Sequence, residues 1–165
     1  MNKIEIANGM IFQALDIRNK DTFEARLVCQ KKIYLLQESG IDLGYGYNWY
    51  IKGPYSPNLS TYIYNNLDDF MKTDFSNYHI SSNVTEKINR INSIEESKPK
   101  DLNKSAWYEL VASVLYIYKN HVSWRISSSF DEVFSKLEQY KPQFNWEQFI
   151  EAVKVLKEKE FITEG

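Results

Sequence analysis

Apolar positions spaced three and four residues apart recur in blocks along this chain, and they predict a protein built mostly of helices. The first block covers residues 4–17, with Met10, Ile11, Ala14 and Leu15 on one side. Asp21, with Glu24 three residues on, has the form of a capping box, and Gly40 has the place of a helix stop. Together they predict a second helix over 22–39. Phe23, Leu27 and Tyr34 make one apolar stripe on it, Cys29, Ile33 and Leu36 a second, Val28 and Leu35 a third. A helix apolar on several sides belongs at the centre of its domain. Between the stripes runs a polar line of Arg26, Gln30 and Gln37.

An aromatic segment, 45–51, follows and reads as a strand. A third helix starts at Pro57 or Asn58, with Leu59, Tyr62, Ile63, Leu67, Phe70 and Met71 at helical spacing. A short strand is expected over 78–82 and a short helix over 84–94. The polar stretch 95–103 holds Pro99 between Lys98 and Lys100 and reads as a surface linker. Three amphipathic helices complete the chain. Asn103 caps the first, Ser129 with Glu132 the second, and Asn145 with Gln148 the third, while Pro142 separates the last two. The expected fold is mostly α with a small β-sheet (α+β), a winged-helix-like helical domain. Residues 1–165 form a single domain in this reading. It has an N-terminal winged-helix-like part (1–94), the linker (95–103) and a C-terminal helical part (104–165).

The run Trp49, Tyr50, Ile51, Lys52, Gly53, Pro54, Tyr55, Ser56, Pro57 breaks the helical pattern. Gly53 tolerates a positive φ, while Pro54 fixes its own φ and lacks an N–H, so a sharp turn is expected here. Tyr50, Lys52, Tyr55 and Ser56 then sit on or beside a rigid corner, a setting that suits recognition. Ser56 also has the place of an N-cap for the helix from Pro57. The line Arg26, Gln30, Gln37 has two readings as well. It lines a groove for a ligand or partner, or it satisfies buried carbonyls of the corner.

Composition narrows the function classes. With 165 residues the chain is long enough for one self-sufficient core. Aromatic residues reach 15%, twelve of them Tyr, and Tyr suits half-wet contact surfaces. Net charge is −2, and residues 1–60 hold seven Lys/Arg against six Asp/Glu. This is thin for a module that grips duplex nucleic acid. A single cysteine, Cys29, makes no internal disulfide and reads as a buried filler. The first fifteen residues lack the apolar run of a signal peptide, and no run reaches the length of a membrane span. A cytoplasmic protein with no membrane partner is expected.

Catalytic signatures are missing. His79 and His121 are far apart, without acidic or Cys neighbours at ligand spacing, so no metal is expected. His121 reads as a cation at a helix C-terminus. Gly44, Tyr45, Gly46 lacks the third glycine and the helix entry of a nucleotide loop. The adjacent pairs Asp68/Asp69 and Glu95/Glu96 point apart on a helix and make no acid–base dyad. No catalytic residue and no cofactor are expected. An enzyme centred on Arg26 and Gln30 would need a pocket with perturbed groups beside them.

Several of these residues carry a resemblance. The stretch from Gln30 to Gln37, then Gly44 and Tyr45, then the run Trp49 to Pro57, resembles the uncharacterised prokaryotic YwgA-like family. The tail, with Phe130, Asp131, Glu132 and Val133 followed by Lys141 and Pro142, is similar to it too. More distantly, the corner resembles the phage-associated GepA/Panacea domain, with Lys52 where that domain carries Tyr before Gly-Pro. That second resemblance implies an antitoxin that neutralises toxins by direct contact, in a toxin–antitoxin, prophage or defence setting.

The expected function is a non-enzymatic binding module that contacts a partner protein through Tyr50, Lys52, Gly53, Pro54, Tyr55, Ser56, Tyr64 and Asn65. Homo-oligomerisation stays open. The alternative is a DNA-binding transcriptional regulator that uses the helix from Pro57, with Lys31 and Lys52 among its phosphate contacts.

Overall fold

A computed structural model describes residues 1–122 and 129–163, without the side chains of His121 and Val122. The reading of His121 as a terminal cation lies outside the described side chains.

Seven α-helices and one hairpin make up the described chain. They are α1 (Lys3–Ala14), α2 (Phe23–Glu38), β1 (Asn48–Tyr50), β2 (Gly53–Tyr55), α3 (Pro57–Lys72), α4 (Ser82–Ser93), α5 (Lys104–Ile117), α6 (Phe130–Tyr140) and α7 (Trp146–Glu158). The fold is thus mostly α with a small two-stranded antiparallel sheet. A 3₁₀ turn, Ile94–Ser97, extends α4, and a π-helical turn, Tyr118–Val122, extends α5.

Side-chain caps set the helix starts, because the first turn of a helix leaves backbone N–H groups unpaired. Asn103 accepts from Ala106 N, Ser129 from Glu132 N, and Asn145 and Gln148 form a reciprocal capping box, all at the expected places. For α2 the cap is Thr22, which accepts from Ala25 N, and not Asp21. Gly40 does end this helix, at φ 105°. The first helix stops at Ala14, three residues short of the expected end, where Asp16 takes φ 61° and turns the chain into the core at Ile17.

The expected strand over 78–82 does not form. Those residues find no pairing partner in the two-stranded sheet, and Ser81 instead caps α4 through Val84 N. The corner is itself a strand. Pro54 pairs with Trp49 and Gly53 with Tyr50, so Ile51 and Lys52 make the two-residue turn. A proline is admissible here because β2 is an edge strand whose missing N–H costs the ladder nothing.

The most buried helix is α5. Trp107, Leu110, Val111, Val114 and Leu115 are fully enclosed, and even Glu109 and Ser113 are buried. It packs against α2, α6, α7 and β2. The centre expected at α2 is therefore shared, with α5 as the axis and α2 beside it.

Candidate functional site

The site begins with polar side chains that α2 buries. On an apolar helix face a lysine is tolerated only where its ammonium finds acceptors. Lys31 is fully buried and donates to Pro54 O at 2.5 Å. Gln30, one residue earlier, grips the backbone of Ser56 with both ends of its amide. Its Nε2 donates to Ser56 O and its Oε1 accepts from Ser56 N, each at 2.9 Å. From the far side Lys141, just after α6, donates to Ile51 O at 2.6 Å and pairs with Glu109 of α5 at 3.1 Å. The hairpin is thus held at Ile51, Pro54 and Ser56 by three buried side chains from two directions. Gly53 lies between these anchors at φ 93°, with its Cα against Ser113 of α5.

Two ammonium groups face one carboxylate in this cluster. Burial pushes the Lys31 amine down to about 7, opposed by the Glu109 charge and reinforced by Lys141. Burial also lowers Lys141, again against the pull of Glu109. Lys32 points the other way, donating to Leu15 O at 2.7 Å and to Asn92 Oδ1, and burial lowers it to about 8. Cys29 is buried and its thiol is pushed up by desolvation, which fits a filler.

Above this anchored backbone lies a groove of about 450 Å³. Helix α2 provides Phe23, Arg26, Leu27 and Gln30, the hairpin Tyr50, Ile51, Lys52 and Tyr55, and α3 Ser60, Ile63 and Tyr64. Leu27 and Ile63 are its buried floor, while Phe23, Tyr50, Ile51 and Tyr64 are exposed at its rim. The Tyr50 and Tyr55 rings meet edge to face at 5.2 Å. Lys20 lies 5.4 Å from the Tyr64 ring centre and pairs with Asp68.

The expected contact residues divide on this geometry. Tyr50, Lys52, Tyr55 and Tyr64 come together in the groove. Gly53, Pro54 and Ser56 are buried, so they shape the corner and present no surface. Ser56 caps α3, accepting from Leu59 N at 3.3 Å. Asn65 is exposed on α3 but outside the groove. The polar line also divides. Arg26 lines the groove and donates to Lys20 O, Gln30 serves the corner, and Gln37 lies two turns on, exchanging two hydrogen bonds with the backbone of Tyr45. It is not one polar groove, because all three members bond backbone groups and Gln37 lies outside the groove. Lys31, expected among the phosphate contacts, is a buried carbonyl ligand, and so is its neighbour Lys32.

Phe23, Leu27, Ile51 and Ile63 were not among the expected site residues. Ile51 was legible in principle, since an aliphatic residue at a hairpin turn has no core to enter. Phe23 and Leu27 looked like core stripe, and only the packing of α3 shows that the groove opens there.

Among the described residues no group of three His, Cys, Asp or Glu is placed to hold a metal, and no helix is long and apolar enough to cross a membrane. Compared with family models, with curated proteins and with solved structures, the chain gives no match.

Proposed function

We propose that this chain is a binding module that contacts a partner protein directly, through the groove and the hairpin tip beside it. One observation carries the reading. Ile51 is 91% exposed at the tip of a hairpin whose backbone is held by buried side chains. Fixing an aliphatic side chain in water has no use for the isolated fold, and rigid apolar and aromatic anchors are what the desolvated centre of an interface needs. Tyr50, Tyr55, Tyr64 and Phe23 extend the same patch. The module acts by occlusion or recruitment. The resemblance of the corner to antitoxin domains supports a toxin–antitoxin, prophage or defence setting.

The DNA-binding alternative needs phosphate contacts around α3. Lys31 and Lys32 are buried, and the exposed side of α3 carries Asp68 and Asp69. Phosphates repel that face, so protein contact is favoured.

The test starts with capture of partners from nuclease-treated host lysate, followed by reconstitution of the captured protein with purified wild type, Ile51→Asp and Tyr55→Ala. The expected result is a direct complex weakened about tenfold or more by either change, with thermal stability retained for Ile51→Asp. A complex indifferent to both changes, or capture that requires nucleic acid, would sink the proposal.

A further inference from the structure

The groove has a polar inventory that limits its occupant. Gln30 has both ends of its amide committed to Ser56, so the floor offers an apolar bed with little directional recognition. Small polar metabolites need several convergent polar groups, and this floor lacks them. What remains free is at the rim. The Tyr50, Tyr55 and Tyr64 hydroxyls make no hydrogen bond among the described residues, and neither Arg26 nor Lys52 has a carboxylate partner there. The groove lining contains two cations and no carboxylate, on a chain of net charge −2.

We infer that the groove receives an acidic amphipathic peptide segment of the partner, with large apolar side chains on the Leu27–Ile63 floor and carboxylates on Arg26 and Lys52. The inference rests on the protein-binding reading and names the chemistry of the partner. Volume supports it, since about 450 Å³ holds a few large side chains and no folded domain. The phenol hydroxyls donate to carboxylates or backbone carbonyls of the segment. A single nucleic-acid strand is the weaker occupant, because two cations are few for a phosphate chain and the floor is aliphatic.

A random-peptide display library panned on the purified full chain tests this. Enrichment of sequences that combine Leu, Ile, Phe or Trp with Asp or Glu is expected. A synthetic peptide of the enriched sequence should bind about tenfold more weakly to Lys52→Glu, lose affinity as salt rises, and lose binding to Ile51→Asp. Lys52 is exposed, so its reversal leaves the fold intact. Enriched peptides without acids, equal or tighter binding to Lys52→Glu, or displacement by a single-stranded oligonucleotide would each overturn the inference. No enrichment would overturn it as well. In that last case the reconstitution with whole partner still decides the protein-contact reading, so the two fail separately.

Discussion

Gly53 is fixed by two independent demands. Its φ of 93° lies where L side chains are strained, and a Cβ built there would come within 2.5 Å of Ser113 Oγ. Gly53→Ala should therefore lower stability by about 2–4 kcal/mol, from backbone strain of about 1–2 and the rest from the clash. Ser113 makes the test sharper, because its buried hydroxyl has no hydrogen-bond partner among the described residues. Ser113→Ala removes a desolvated polar group and should be neutral or slightly stabilising. The double variant should recover part of the Gly53→Ala loss, since the clashing atom is gone and the strain remains. Denaturant unfolding of the four proteins reads this directly, and strict additivity would show that the contact is unimportant. The turn-forming character of Gly53 was legible in the chain. Its contact with a serine sixty residues away was not, because nothing local links the two positions.

At the scale of the element, the hairpin is held by amines placed where water is absent. Lys31, Lys32 and Lys141 all have amines lowered by burial, Lys31 to about 7 and Lys32 to about 8. An unfolded lysine titrates near 10.5, so between about pH 7 and pH 9, below the range where the buried tyrosines act in the opposite sense, the unfolded chain binds more protons at these amines than the folded one. Stability must then rise with pH across that window. The burial cost of the ammonium groups is full below about pH 7 and is relieved as they lose protons. The rise should be on the order of a few kcal/mol, measured by denaturant titrations at constant ionic strength. A flat or falling profile from pH 7 to 9 would contradict the buried placement of these amines. Glu109→Gln isolates the cluster. It leaves Lys141 without its counter-charge and should cost about 3 kcal/mol near pH 6, and less at pH 9, where fewer amines are charged. The sequence offered Lys31 as a surface cation, since a lysine in water is the usual case. The closure of the hairpin over α2 and α5 buries Lys31 and Lys141, and the packing of α4 and the end of α1 on the other side of α2 buries Lys32.

At the scale of the molecule, one apolar core runs through both halves of the chain. It joins Phe12, Leu35 and Leu67 to Val111, Leu137 and Phe149. Helix α5 is the joint. Trp107 Nε1 donates to Ile94 O at 2.7 Å, and the Tyr108 hydroxyl donates to Ile91 O at 2.8 Å, so its first turns are bonded to the end of α4 across the polar stretch. The chain should accordingly unfold in a single transition, with far-ultraviolet circular dichroism and tryptophan fluorescence coincident. Leu110→Ala should cost about 2–5 kcal/mol and move both signals together. Two separated transitions would mean that residues 1–94 and 104–165 fold independently.

The order and type of the helices follow from the sequence alone. Helical periodicity needs only neighbours three and four residues apart, and capping needs only a side chain and the backbone three residues on, so both are local. This is why the starts of α5, α6 and α7 were readable to the residue. The same local logic marks the Gly-Pro corner as a rigid turn. Tertiary structure alone decided what the corner's residues do. It turned Pro54 into a strand residue, spent Gln30 on the corner, buried Lys31 beneath it and left Ile51 in water. These outcomes depend on which elements meet, and the meeting of α2, β2, α5 and the end of α6 brings together residues that lie up to about a hundred positions apart. Burial, and with it the charge state of an amine or the availability of an amide, is a property of that meeting and not of any stretch of chain.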